Sequence, residues 1–119
     1  MKTAGLSTHV LDTANGYPAA GVRVELFRVD GGRRAPVNST VTDANGRVPV
    51  LLPPGRDLTT GIFEIDFAVG DYFASQGTGK ADPAFLGVVT VRFGVYDPTA
   101  HHHVPLLVSP FGYSTYRGS

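Results

Sequence analysis

Apolar and polar residues alternate along most of this chain, in short segments separated by glycine and proline. Alternation with a period of two is typical of a strand that buries one face. The pattern therefore predicts several strands packed on a common core. Three segments show it most clearly, with one apolar face each: Val22, Val24 and Leu26; Phe63, Ile65, Phe67 and Val69; and Val89, Val91, Phe93 and Val95.

Eight strands are predicted from this pattern and from the turn sequences between the segments, which carry Gly, Asn or Pro. One short helix is predicted at residues 71–76, with Asp71 as its N-cap and Gly77 at its end. The predicted fold class is all-β, a sandwich of two four-stranded sheets with one short helix. The predicted strands are residues 5–12, 22–28, 37–42, 48–51, 61–69, 88–95, 102–108 and 111–117.

Length and charge narrow the classes of function. The chain has 119 residues, with ten basic and ten acidic side chains and no cysteine. This length predicts a single domain over residues 1–119 that buries roughly two thirds of its unfolded surface. Balanced charge argues against nucleic acid as a partner and tolerates self-association. Without a signal peptide or a long apolar stretch, we expect a cytoplasmic protein that does not bind a membrane.

Four histidines are the first candidates for chemistry. His9 lies on the less apolar face of the first predicted strand, while His101 and His103 share one face of a later strand and His102 takes the other. Three imidazoles could hold zinc with an open position for water. Only Asp97 supplies an acidic side chain near the triplet, which makes the metal site the weaker interpretation.

A metal-free hydrolytic site needs an imidazole base and a cation that stabilises the anion formed at an attacked carbonyl. His9 and His103 are candidates for the base, and Arg47, after an Asn-Gly turn, is a candidate for the cation. Pro105 cannot donate a ladder hydrogen bond, which favours an accessible position for His103. The residue types alone leave both kinds of site open.

Three longer segments together resemble the 5-hydroxyisourate hydrolase family, the transthyretin-related enzymes. They are LSTHVLDTANGYPAAGVRVELFR, TDANGR and HVPLLVSPFGYSTYRGS. The resemblance runs from Leu6 to Ser119 in the order and spacing of the family. Its most specific part is the final YRGS, because transthyretin hormone carriers share the preceding SPxxYST stretch but not this tail.

The resemblance implies a transthyretin-like (prealbumin-like) sandwich that assembles as a homotetramer, a dimer of dimers with active sites in a central channel. It gives no role to His101 or His102, which we expect to be solvated residues at a strand start. It implies catalytic roles for His9, Arg47 and His103, and substrate contacts from Tyr116, Arg117, Gly118 and Ser119.

The implied substrate is 5-hydroxyisourate, a labile purine derivative made from urate. Water opens its six-membered ring to 2-oxo-4-hydroxy-4-carboxy-5-ureidoimidazoline without a metal or an organic cofactor, and either histidine is a candidate for the base. Tyr116 would supply a flat wall, Gly118 a close backbone approach, and Ser119 a hydroxyl and its α-carboxylate. Two other classes stay open: a non-catalytic transthyretin-like carrier of a small ligand, and a structural accessory sandwich.

Overall fold

The computed structural model describes residues 5–78 and 81–118, and these ranges contain nine strands and one helix. The helix, α1 (Val69–Ser75), lies between the sixth and seventh strands. The strands are β1 (Leu6–Asp12), β2 (Tyr17–Pro18), β3 (Arg23–Asp30), β4 (Arg33–Val41), β5 (Arg47–Val48), β6 (Gly61–Phe67), β7 (Val89–Val95), β8 (His102–Ser109) and β9 (Gly112–Thr115).

Two sheets form the chain's architecture, and the predicted sandwich is confirmed. One sheet has the order β4, β3, β6, β7 and is antiparallel throughout. The other has the order β2, β1, β8, β9, with β5 paired to the same edge of β1 as β2. Within it, β1 and β8 run parallel along seven paired positions. This sheet has five strands rather than four because β2, too short to show alternation, was not predicted.

The largest differences from the predicted strand bounds are at the start of β4 and the end of β5, and the other strand ends differ by at most two residues. β4 begins at Arg33 because the Gly31-Gly32 turn, with φ angles of 57° and 84°, leads directly into it from β3. Most of β4 is exposed, so its first residues carry no apolar alternation that the sequence could show. β5 ends at Val48 rather than at residue 51.

The core lies between the two sheets and contains the faces that alternation predicted. Leu26, Ile65 and Phe67 of the four-stranded sheet are fully buried. Leu106 of the five-stranded sheet is also fully buried and belongs to the same core. On β1 the inward residues are Leu6, Thr8 and Val10, all with 1% exposure or less. The opposite face of β1 is therefore the one available for a site.

Helix α1 begins at Val69, two residues before the predicted start, so Asp71 lies in its first turn and does not cap it. The N-cap residue is Ala68, which makes no side-chain capping bond. Tyr72 anchors the helix, because its hydroxyl donates to Asp12 Oδ2 at 2.7 Å. Gly77, with φ of 70°, follows the helix as predicted. No helix in the described ranges is long and apolar enough to cross a membrane.

Candidate active site

Strand pairing brings three distant segments to the outer face of the five-stranded sheet. The parallel register places Ser7 beside His103 and His9 beside Pro105. On the other edge of β1, the antiparallel pairing with β5 places Arg47 beside His9. Because side chains alternate between faces with a period of two, the residues at these positions project to the same side. The three residues predicted to be catalytic are thus brought together.

The turn before β5 fixes Arg47 in place. The Asp43 carboxylate accepts the backbone N–H groups of Asn45 and Arg47 at 2.9 and 3.0 Å. Gly46, with φ of 73°, packs so closely that an added Cβ would lie 2.5 Å from the carbonyl oxygen of Val10. Only glycine suits both the positive φ and this approach. The Asp-Ala-Asn-Gly turn therefore fixes the backbone position of Arg47, from which the guanidinium extends.

His9 is held by the same turn. Its Nε2 lies 2.9 Å from the carbonyl oxygen of Asn45. A carbonyl oxygen only accepts, so the neutral ring carries its proton on Nε2 and donates it there. The nitrogen of His9 that is free to accept a proton is consequently Nδ1.

His103 is half-buried and lies among positive groups. Its Nδ1 is 2.8 Å from the Ser7 hydroxyl. Burial lowers the pKa of His103 below its ordinary value, and the charges of Arg47, His9 and His101 lower it further. Desolvation and nearby cations both disfavour the imidazolium form. The ring is therefore neutral near pH 7 and able to accept a proton.

A pocket of about 270 Å³ opens beside Arg47 and His103, and His9 is not among its lining residues. Its lining combines two imidazoles, a guanidinium and the Ser7 hydroxyl. Such a lining suits a small polar ligand better than a large apolar one. No three His, Asp or Glu side chains in residues 5–78 and 81–118 are grouped as metal ligands would be. The lining residues are Ser7, Thr8, Arg47, Pro49, His101 and His103.

The tail approaches this pocket at Gly118. Its backbone N–H donates to the carbonyl oxygen of His103 at 2.8 Å, forming an isolated β-bridge. A Cβ built on Gly118 would overlap Cδ2 of the His103 ring and lie 3.1 Å from its Cγ. The glycine thus allows the tail backbone to lie directly against the imidazole.

Comparison with known proteins identifies the family. The model of the HIUase/Transthyretin family matches residues 6–118. The chain belongs to this family. It is 54% identical over 114 residues to the 5-hydroxyisourate hydrolase of Ralstonia nicotianae, a match that covers 96% of this chain and 97% of that protein.

Solved structures of the HIUase/Transthyretin type share the fold. The 5-hydroxyisourate hydrolase of Klebsiella pneumoniae superposes with a TM-score of 0.81 at 34% identity and covers 100% of both chains. Sea bream transthyretin in complex with thyroxine superposes with a TM-score of 0.84 at 27% identity, covering 97% of this chain and 95% of that one. The predicted transthyretin-like sandwich is confirmed. Because proteins with two different activities share it, the fold alone does not decide between them.

Not every residue expected at the site of this HIUase/Transthyretin family member lies in the 270 Å³ pocket. Tyr116 and Arg117 line a second pocket between the sheets, with Phe93 and Val104 on its wall. Tyr116 is 61% exposed in the single chain. Ser119 lies outside the described residues. Of the tail residues that the structure describes, Gly118 is the one that lies against His103.

The expectation that His101 and His102 are both solvated is wrong for His102, whereas His101 is exposed as expected. His102 is only 4% exposed, and its Nδ1 donates to the carbonyl oxygen of Ala100 at 2.8 Å. His101 is exposed, but its Nε2 lies 2.8 Å from the Ser7 hydroxyl. The alternation that grouped His101 with His103 was the signal for its place in the pocket. Ser7 was not predicted, because a serine on a strand has no distinguishing pattern.

Proposed function

We propose that the protein is a 5-hydroxyisourate hydrolase. It opens the six-membered ring of 5-hydroxyisourate with water and gives 2-oxo-4-hydroxy-4-carboxy-5-ureidoimidazoline. The observation that carries the proposal is a neutral, half-buried His103 in one pocket with the cation of Arg47. Close relatives named for this activity over nearly the whole chain support it.

His103 is the general base in this proposal. Its Nδ1 is engaged by Ser7, whereas its Nε2 makes no hydrogen bond to any residue in the described part of the chain. Nε2 removes a proton from water as the oxygen attacks the ring carbonyl carbon. The ring C–N bond then breaks, and the imidazolium returns the proton to the departing nitrogen.

Arg47 and His9 complete the chemistry. The guanidinium stabilises the negative charge that develops on the carbonyl oxygen. His9, whose Nε2–H is held by Asn45, presents Nδ1 as an acceptor for a substrate N–H or for the attacking water. Every step uses groups of the chain and water, so the proposal includes no metal or organic cofactor.

The tail residues Tyr116, Arg117, Gly118 and Ser119 are proposed to bind the substrate. The close contact between Gly118 and the His103 ring supports this assignment. Tyr116 and Arg117 face a separate pocket in the single chain, so their part in the site would require the proposed homotetramer, a dimer of dimers. Light scattering of the purified protein tests the tetramer, and a monomer of full activity would exclude any need for it.

The decay of 5-hydroxyisourate tests the activity. Urate and urate oxidase generate the compound, and its ultraviolet absorbance is followed with and without the protein. We expect faster decay with the wild type and a loss of at least about 10²-fold in His103→Ala and in Arg47→Ala. Arg56→Ala, at an exposed loop arginine that does not line the pocket, is the matched control and should keep full activity.

The opposite outcome supports a carrier. A folded protein that does not accelerate the decay but binds small ligands would belong with the transthyretin-like carriers. The polar lining of the pocket is the observation against that alternative, because a carrier channel for aromatic ligands favours aliphatic walls.

A further inference from the structure

We propose that Ser7 and His101 hold the proton of neutral His103 on Nδ1 and thereby keep Nε2 free to act as the base. The proposal rests on the hydrolase function above. It assigns positioning roles to two residues, since neither needs to touch the substrate.

The Ser7 hydroxyl lies between the two rings. Its Oγ is 2.8 Å from His101 Nε2 and 2.8 Å from His103 Nδ1. Ser7 is 9% exposed, and the parallel pairing of β1 with β8 fixes it opposite His103. On the far side, the His101 ring rests against Gly5, where an added Cβ would lie 3.1 Å from Nδ1. The three side chains are therefore held in a line.

Two arrangements place the Ser7 hydroxyl hydrogen in a bond to one of the rings. A serine hydroxyl carries one hydrogen and two lone pairs, so it either donates to one ring and accepts from the other, or accepts from both and leaves its hydrogen without a partner in this line. In the first arrangement, His103 Nδ1–H donates to Ser7 and the hydroxyl donates to His101 Nε2. In the second, His101 Nε2–H donates to Ser7 and the hydroxyl donates to His103 Nδ1, which moves the proton of neutral His103 to Nε2.

Of the two arrangements that use the hydroxyl hydrogen, only the first is compatible with catalysis by His103. There, the lone pair on Nε2 is free to accept a proton from water. After Nε2 accepts a proton, Nδ1–H still donates to Ser7, so the hydroxyl need not turn during the reaction. The same pattern of donors serves both charge states of the base, which is the preorganisation that an effective site requires.

His101 favours the first arrangement, because there its Nε2 accepts the Ser7 hydrogen. The charged and titratable groups around His103 are Arg47, His9 and His101. Of these three, His101 is the one joined to His103 through the Ser7 hydroxyl.

The first test compares Ser7→Ala with Ser7→Thr. Ser7→Ala should lower kcat by about tenfold, the rate equivalent of one hydrogen bond, with KM nearly unchanged. Ser7→Thr retains a hydroxyl and should restore most of the rate. Ser39→Ala, an exposed serine on β4, is the matched control and should behave as the wild type.

The second test reads the tautomer directly and does not depend on activity. In the ¹⁵N spectrum of the wild type above the pKa of His103, Nδ1 should show the shift of a protonated nitrogen and Nε2 that of an unprotonated one. Ser7→Ala should shift this balance toward protonated Nε2. A wild-type His103 with its proton on Nε2 would overturn the proposal, whatever the kinetics of the variants.

His101→Ala gives the third readout. It removes the acceptor for the Ser7 hydroxyl hydrogen, so the ¹⁵N spectrum should show the tautomer balance of His103 shifted toward protonated Nε2, by less than in Ser7→Ala because Ser7 can still accept from His103. An unchanged tautomer balance would remove His101 from the proposal. If the wild type does not hydrolyse 5-hydroxyisourate, the proposed function fails, but the spectrum still tests the tautomer of His103. If the wild type is active and Ser7→Ala is equally active, the positioning roles of Ser7 and His101 fail while the proposed function stands.

Discussion

Replacing Gly118 with alanine tests how closely the tail must lie against the base. The new methyl group would overlap Cδ2 of His103 and approach its Cγ and Cβ at 3.1 and 3.3 Å. The φ of Gly118 is not in the left-handed region, so the backbone itself accepts alanine without strain. The substitution therefore changes one contact, between the tail and the imidazole.

Two movements can relieve this overlap, and both are small beside the stability of a domain. The tail can lift, which breaks the 2.8 Å hydrogen bond from Gly118 N–H to His103 at a cost of about 1 kcal/mol. Alternatively, the ring can rotate off its rotamer at about 0.5–1.5 kcal/mol. A displacement of about 1 Å in a site lowers turnover on the order of 10²-fold. We expect Gly118→Ala to fold normally and to lose activity of that order.

Gly112→Ala provides the matched control. Gly112 lies in β9, and a Cβ there meets only Ser109 Oγ, at an ordinary 3.9 Å. Both variants are compared with the wild type by thermal unfolding and by the decay of 5-hydroxyisourate. Wild-type turnover in Gly118→Ala would show that the contact with His103 plays no part in the reaction. Equal losses in both glycine variants would point to a general effect on the sheet instead.

Four further predictions follow from the same structure. Burial lowers the pKa of His103, and the charge of Arg47 lowers it further. Arg47→Ala should therefore raise that pKa and move the acid limb of kcat/KM to higher pH, as well as lower the rate. Burial alone would raise the pKa of Asp12, but hydrogen bonds from Asn15 and Tyr72 hold that pKa below its ordinary value. The stabilising effect of the Asp12 carboxylate is therefore present at neutral pH and lost as the pH falls below about 4. Asp12→Asn should thus lower the free energy of unfolding by about 1–3 kcal/mol at pH 7, measured by urea titration, with a gap that closes in acid. Leu106→Ala, at a fully buried core position, should lower it by about 2–5 kcal/mol in the same titration. Dialysis against a chelator should leave the hydrolysis rate unchanged, and a loss restored by zinc would contradict the metal-free mechanism.

The strands and their buried faces could be predicted because alternation is a local signal. It failed where burial does not alternate. The first residues of β4 are exposed on both faces, and the two-residue β2 is too short for any period. The start of α1 was missed because Val69 and Tyr72 pack into the core, and because the N-cap residue, Ala68, gives no capping signal. Tertiary packing decided each of these boundaries.

The site could be predicted only in part, for a related reason. Alternation placed His101 and His103 on one face and Ser7 and His9 on another, but nothing local gives the register between strands 96 residues apart. His9, Arg47 and His103 were identified by resemblance. Ser7 was not, because its role depends on the offset of β1 against β8. The register is a property of the folded sheet.

That register is determined by the core, which ties the site's geometry to the packing beneath it. On β1, the buried Thr8 alternates with Ser7 and His9, and its hydroxyl donates to the carbonyl oxygen of Val104 at 2.6 Å. A slip of one residue between β1 and β8 would bring His9 and Ser7 into the core and expose Thr8. Burying an imidazole without partners there would cost several kcal/mol. The same interactions that stabilise the sandwich therefore exclude the one-residue shifts that would separate Ser7 from His103.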